Sequence, residues 1–247
     1  MVMLRRPGAP WPLILAANRD ERADRPWLAP ARHWPDRPEV PAGMDELAGG
    51  SWLGLNDHGV VAGILNRVGT LGPQDGKRSR GELVLEALDH ADAMEAADFL
   101  AELDGHAYRP FNMVIADNRD AFWLRHAGDE AMELRPIPLG LSLLTAVDLN
   151  DETSARVRRY RPLFQNAAIP DPDQGDWSAW EALMASREHE LDAGPRGAMA
   201  IVTDGAFGTV SGSLIALPSV DVKKKPIWRF CKGLPGTAPF VDVPLGT

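Results

Sequence analysis

The sequence predicts an α+β fold of mainly antiparallel sheets with helices grouped outside them. Three observations carry this expectation. Apolar and turn patterns run in the order strands, helix pair, strands, helices, strands. Neighbouring strand segments are joined by short turns, whereas parallel strands need crossovers of about a dozen residues or more. The chain has 247 residues, 45% hydrophobic and 25% charged, which suits a folded domain with a sizeable core.

The elements follow in order. "MVML" and "WPLILAAN" read as a β-hairpin whose turn, Arg5 to Pro10, is marked by proline and glycine. A turn centred near Gly8-Ala9 places Leu4 opposite Leu13 and Met1 opposite about Ala16. Residues 22–49 are rich in proline and charge without helical or strand period, so they read as a long ordered loop. "SWLGLN" and "GVVAGILNR" form two strands around the tight turn Asn56-Asp57-His58-Gly59. In "SRGELVLEAL", Ser79 and Glu82 have capping-box spacing, and Leu83, Val84, Ala87 and Leu88 make one helical stripe. Asp92 and Glu95 repeat the spacing, so a second helix is expected to run to about Leu103.

"FNMVIADN" and "AFWLRHA" read as a hairpin around Asn118-Arg119-Asp120, and "LSLLTAVDLND" as a buried strand that then leaves the core. "TSARVRRYRPLF" predicts a short basic helix stopped near Pro162, and "WSAWEALMASREHEL" an amphipathic helix. The end reads as all strand: "AMAIVTD", "TVSGSLIAL", "PIWRFCKG" and "PFVDV". No repeat or convincing boundary divides the chain, so one domain over residues 1–247 is expected.

Charge and composition narrow the function. Asp and Glu outnumber Lys and Arg by 35 to 26, and the resulting field repels phosphate backbones, which argues against nucleic-acid partners. A single cysteine, Cys231, fits a reducing compartment and reads as a buried strand residue. The first residues lack the apolar core of a signal peptide, and no stretch approaches the ~20 apolar residues of a membrane-spanning helix. The expectation is a soluble cytoplasmic protein with no integral membrane segment, acting on a small-molecule ligand or substrate.

Familiar catalytic signatures are missing. "GGSWLG" lacks the Lys-Ser/Thr ending of a phosphate loop, "VSGSL" is only a near miss for a nucleophile elbow, and six scattered histidines offer no metal-ligand spacing. What stands out is "WPLILAANRDERADRP", in which an apolar strand runs straight into Asn18-Arg19-Asp20-Glu21. Taken alone, this is either a strand leaving the core through solvated ion pairs or a strand with a polar site at its end. Asp20, Glu21 and Asp24, interleaved with arginines, read more simply as a salt-bridged cluster than as metal ligands.

"AANRDERADRP", the Pro30-Ala31 and Trp34 that follow, "GGSWLGLNDHGVVAGILNR", "SRGELVLEAL", "FNMVIAD", "LTAVDLND" and "GTVSGSLIAL" together resemble the NRDE family, also called the transport and Golgi organisation protein 2 family. These motifs span most of the chain in the family's order. The resemblance implies a four-layer αββα sandwich like that of the N-terminal nucleophile hydrolases, and no cofactor. In the cysteine branch of those hydrolases, a Cys exposed by loss of the initiator Met attacks an amide carbonyl, with its own α-amine as base. The resemblance implies that Arg19 and Asp20 hold the amine and thiolate. It makes Asn66 a candidate oxyanion or substrate donor, with a turn residue as the alternative, and Asn18, Arg67 and Trp52 candidate substrate contacts.

Family members begin Met-Cys, whereas this sequence begins Met1-Val2-Met3 and has no N-terminal Cys, Ser or Thr. Loss of Met1 would expose a valine, which is no nucleophile. In the expected hairpin register, Asn18, Arg19 and Asp20 lie beyond the reach of the first strand. Two explanations stand: a start site placed a few codons late in a longer reading frame, or natural loss of the nucleophile. The first makes the protein a hydrolase of linear amide (C–N) bonds. The second makes it a non-catalytic carrier of a small ligand such as haem or lipid, with Trp27, Trp34, Trp52 and methionines lining an apolar slot.

Overall fold

The computed structural model describes residues 1–128 and 131–246. The chain opens with strands β1 (Val2–Arg5), β2 (Leu13–Arg22), β3 (Trp27–Arg32), β4 (Pro41–Asp45), β5 (Leu53–Leu55) and β6 (Val61–Asn66). Helices α1 (Gly81–Leu88) and α2 (Ala93–Ala101) precede β7 (Phe111–Ala116), β8 (Ala121–His126), β9 (Glu133–Pro136) and β10 (Gly140–Leu143). Helices α3 (Ala155–Asn166) and α4 (Ser178–Met184) lead to β11 (Phe207–Leu217), β12 (Ile227–Cys231) and β13 (Phe240–Asp242). Among the described residues no helix is long and apolar enough to cross a membrane.

Two compact units result, each an antiparallel sheet with a pair of helices, as the α+β expectation requires. The first unit comprises Met1–Arg25, Pro138–Thr145 and Leu149–Pro244. Its sheet runs β10-β1-β2-β11-β12-β13. Val2, Leu4, Ile14, Ala16, Leu214 and Ala216 from one face pack with Val157, Tyr160 and Phe164 of α3 and Trp180 and Met184 of α4. The second unit comprises Pro26–Ile137, Ala146–Asp148 and Leu245–Thr247. Its sheet runs β3-β4-β5-β6-β7-β8-β9. Ala62, Phe111, Met113, Ile115 and Leu124 pack on the apolar stripe of α1 (Leu83, Val84, Ala87, Leu88) and on α2.

Several local expectations hold for the physical reasons that suggested them. Asp92 caps α2 by accepting from the Met94 and Glu95 amides. In the β5–β6 turn the Asn56 carbonyl oxygen accepts from the His58 and Val60 amides, and its amide nitrogen donates to Leu88 and His90 carbonyls. Asp117 Oδ1 similarly organises the β7–β8 turn by accepting from Arg119 and Asp120 amides.

Others are corrected. The hairpin register is one residue off: Leu4 pairs with Ile14 and Val2 with Ala16. The reason is a turn closed by Arg6 N–H to Pro12 carbonyl at 2.8 Å, which centres it on Ala9. The presumed loop of residues 22–49 contains β3 and β4; β3 is an edge strand, where Pro30 needs no ladder partner, and a bulge between Leu28 and Ala31 erases its period. Ser79 does not form a capping box: the helix starts later, at Gly81, and Ser79 Oγ accepts from the Gly81 amide.

Helix α3 continues through Pro162 to Asn166. The lost turn bond costs about 3 kcal/mol. Burial of Tyr160 and of Phe164, whose ring meets Trp180 edge-on at 5.2 Å, offsets it. Helix α4 ends early, at Met184 rather than near Leu191. "AMAIVTD" is buried at residues 198–201 yet forms no strand. Its polar backbone is satisfied instead by single bonds: Ile201 with Thr209, and the Met199 carbonyl with the Asn18 side chain.

Candidate functional site

Strand β2 does not end where its apolar run ends. Past its last β1 pair it stays paired to β11 as far as Arg22 with Phe207. Strand alternation then sorts the Asn-Arg-Asp-Glu run onto two faces. Asn18 and Asp20 continue the face of Ile14 and Ala16, towards α3 and α4. Arg19 and Glu21 lie on the opposite face, where Arg19 is 9% exposed and 3.8 Å from the Glu21 carboxylate. Arg19 and Asp20 are therefore not side by side.

The Asp20 carboxylate is held at both oxygens. Oδ1 accepts from Thr209 Oγ1 at 2.6 Å, and Oδ2 from Arg156 Nη1 of α3 at 3.1 Å. A bulge in β11 makes the first bond possible: Ser211 pairs with Arg19 but Thr209 with Asp20, so the extra residue re-aims the threonine hydroxyl. Arg156 is itself tied to the Arg196 carbonyl at 3.0 Å. Neither Thr209 nor Arg156 was singled out from the sequence. Thr209 lies in the "GTVSGSLIAL" motif, whereas nothing in "TSARVRR" distinguishes Arg156 from its neighbours.

Asn18 is committed to the fold. Its amide nitrogen donates to the Met184 carbonyl at 3.0 Å and the Met199 carbonyl at 2.8 Å. Opposite it on β11 stands Gly212, where a Cβ would come within 3.2 Å of Asn18 Oδ1 and 3.0 Å of Phe240 and Pro235. Close packing thus explains the glycine of "VSGSL".

At the head of β1 the Met1 α-amino group donates to the Leu144 carbonyl at 2.8 Å. Burial, and then the positive charge of Arg156, bring this amine down to a pKa of about 5, against an upward pull from Asp20. The amine thus sits within the field of the Asp20–Arg156 pair, and the side chain it carries is a thioether.

The remaining candidates lie in the second unit. Asn66 closes β6 on the face of Ala62 and Ile64, towards α1. It is half-buried, and its amide has no hydrogen-bond partner among the described residues. Arg67 is fully engaged: Nη1 donates to Asn112 Oδ1 at 2.7 Å and Nη2 pairs with Asp148 at 2.7 Å. Asn112, completely buried on β7, also accepts from Trp123 Nε1 and donates to the Val147 carbonyl. Arg125 joins Asp148 to Glu133. Desolvation pushes the Asp148 carboxyl up, but bonds from Arg67 and Arg125 outweigh it and hold the group below its ordinary value. The sequence reading names neither Asp148 nor Asn112 as a site residue, although "LTAVDLND" and "FNMVIAD" contain them.

Trp52 lies over Gly43, where a Cβ would clash with its ring at 2.3 Å, and meets Trp27 edge-on at 5.8 Å. Trp34 donates to the Gly49 carbonyl, while Met113, Met184 and Met199 fill the two cores. Cys231 is buried, as its sequence setting suggested, and burial and then Glu181 push its thiol up to about 11. No group of three His, Cys, Asp or Glu that could hold a metal occurs among the described residues.

Comparison with solved structures identifies the fold. The Caenorhabditis elegans ortholog of N-acylethanolamine-hydrolyzing acid amidase superposes with a TM-score of 0.56 at 12% identity, over 87% of this chain and 91% of that one. A variant of conjugated bile acid hydrolase from Clostridium perfringens gives 0.56 at 13% identity over 100% and 93%. Penicillin V acylase from Agrobacterium tumefaciens gives 0.52 at 13% identity over 98% and 86%. The fold is that of the N-terminal nucleophile hydrolases.

The family model for transport and Golgi organisation 2 matches residues 1–190, and the chain belongs to that family. The transport and Golgi organization protein 2 homolog of Bos taurus is 39% identical over 112 residues, and the Mus musculus homolog 37% over 110 residues. Each match spans 42% of this chain and 38% of the relative.

Proposed function

We propose that this protein's site is that of a hydrolase of linear amide (C–N) bonds, with its nucleophile carried at the head of β1. The observation that carries the proposal is a fixed carboxylate, Asp20, held by Thr209 and Arg156 near the head of β1, in a fold shared with solved structures of an amidase and an acylase. Burial at that place favours the neutral form of an amine, which can then accept a proton. With a thiol on the same residue, the thiol proton passes to the amine as sulfur attacks the carbonyl carbon. The C–N bond breaks as the resulting ammonium protonates the leaving nitrogen. Water then attacks the thioester, releasing the acid and restoring the thiol. In this reading Asp20 orients the amine and Arg19 steadies the thiolate.

The sequence as given has Met1 in that place, and a thioether does not attack carbonyls. The second reading is a non-catalytic site that binds a small ligand such as haem or lipid. One experiment separates the two. A chain lengthened ahead of Met1 so that an N-terminal Cys, its α-amine exposed by cleavage of a leader, stands opposite Arg19 and Asp20 in the β1–β2 register is mixed with a graded set of N-acyl amides. Intact mass and amine release are followed beside the chain as given. The hydrolase reading expects an acyl adduct or turnover on the cysteine chain alone, lost in Asp20→Ala. A cysteine that reacts with iodoacetamide yet neither acylates nor turns over any amide would sink it in favour of binding.

A further inference from the structure

Strand β11 changes character where it reaches the level of Arg19. On the face opposite the helices its C-terminal half carries Ile215 and Leu217, whereas its N-terminal half carries Ser211 and Ser213. Ser211 stands opposite Arg19 of β2, and Ser213 stands between Ala17 of β2 and Phe230 of β12. The bulge between Thr209 and Ser211 sets this arrangement. It turns Thr209 to Asp20 on the helix-covered face and leaves both serines on the face of Arg19.

Both serines are buried, at 1% and 2% exposure. A hydroxyl taken out of water without a hydrogen bond costs free energy, and buried hydroxyls elsewhere in the chain avoid that cost. Ser51 bonds to the Leu53 carbonyl, Thr70 to the Arg67 and Pro110 carbonyls, Ser142 to the Asn150 amide and Thr209 to Asp20. Neither Ser211 nor Ser213 has a side-chain hydrogen bond among the described residues. Alanine at both places would fill nearly the same volume with no polar atom to satisfy, so packing does not account for the two oxygens.

The spacing suits one kind of group. Side chains two residues apart on a strand face stand about 7 Å from each other. A carboxylate set between them accepts one O–H···O⁻ bond at each oxygen, and two such bonds of about 2.6 Å span most of that distance. Arg19, 9% exposed, brings positive charge to the same face, with the Glu21 carboxylate at 3.8 Å taking part of it.

We propose that Ser211 and Ser213, beside Arg19, form a binding site for the carboxylate of a small organic acid. Each hydroxyl donates to one carboxylate oxygen, and Arg19 balances the charge. The proposal does not rest on the hydrolase reading, because it concerns binding by the chain as given, which has no thiol at residue 1.

The test titrates the full chain with two matched pairs, butanoate with butanamide and phenylacetate with phenylacetamide, by calorimetry at pH 7 in low salt. Each acid should bind at least about tenfold more tightly than its amide, the scale of hydrogen bonds to a charged group. In NMR the Ser211 and Ser213 backbone amides should shift with the acids. Ser211→Ala combined with Ser213→Ala should erase the preference and leave the unfolding temperature unchanged or raised, because no hydroxyl then lacks a partner. Each single alanine should remove part of it. No binding of either acid, equal affinity for acid and amide, or a preference that survives in the double alanine variant would each overturn the proposal. So would a lower unfolding temperature of that variant, which would show that the two hydroxyls serve the fold.

Discussion

Two Asn-Arg dipeptides of this chain, Asn18-Arg19 inside β2 and Asn66-Arg67 where β6 ends, use their two halves in opposite ways. In the first unit the asparagine is the structural member, donating to the Met184 and Met199 carbonyls. In the second the arginine is structural, held between Asn112 and Asp148. Both asparagines continue the helix-covered face of their sheets, and both arginines leave on the other. What differs is what each face offers. The last residue of α4 and the non-strand segment after it each bring a carbonyl to Asn18, whereas among the described residues nothing equivalent reaches Asn66. Residue type and spacing are the same at both places, and the surrounding backbone decides which side chain is tied into the fold.

The largest expected effect tests the structural half of the second pair. Asn112→Ala leaves a buried Trp123 N–H and the Val147 carbonyl without their partner and takes one of the acceptors from Arg67. A loss of about 3–4 kcal/mol is expected, since each buried group left unsatisfied costs about 1–3 kcal/mol. Urea unfolding followed by tryptophan emission measures it. Next comes Asn18→Ala, which frees two carbonyls and should cost about 2 kcal/mol. Asn18→Asp should cost more, because a carboxylate there is acceptor-only and faces two acceptors. If Asn18→Asp were as stable as wild type, the amide would not be the cross-link described here, and the contrast with Asn66 would fall.

A subtler effect comes from pH. The Asp148 carboxyl is held below its ordinary value in the fold, so its ionised form favours folding. That contribution is present above the unfolded pKa of about 3.9 and is lost as pH falls through the lower folded value. Asp148→Asn should therefore be less stable than wild type at pH 7, with the gap narrowing below about pH 4. A constant gap from pH 7 down to pH 2.5 in thermal unfolding would show that charge at Asp148 does not matter to the network.

What could be read from the sequence divides along physical lines. Turns and caps that rest on one side chain and its nearest amides were legible: Asp92, Asn56 and Asp117 act within a few residues of themselves. Elements that depend on distant partners were not. β2 extends through Arg22 because β11 pairs with it some 185 residues away (Arg22 with Phe207), and the apolar pattern carries no trace of that. β3 and β4 hide behind proline, edge position and a bulge. Pro162 stops a helix in isolation, yet Phe164 finds Trp180 and the helix goes on. The site follows the same rule. "NRDE" drew attention as charge after an apolar run, but its sorting onto two faces needed the strand's true length, and Asp20's partners lie on α3 and β11.

The smallest expected effect is the most informative for the comparison. Asn66→Ala removes an amide that bonds to nothing among the described residues, so unfolding free energy should change by no more than about 0.5 kcal/mol, as for ordinary surface substitutions. Set beside about 2 kcal/mol for Asn18→Ala, this contrast isolates context, because the residue type, the arginine that follows and the helix-covered face of a sheet are shared. Stability alone, however, does not establish a role for Asn66. A change that small would show that the Asn66 amide holds no backbone in place. A loss of 2 kcal/mol for Asn66→Ala would instead mean that it, like Asn18, holds backbone in place.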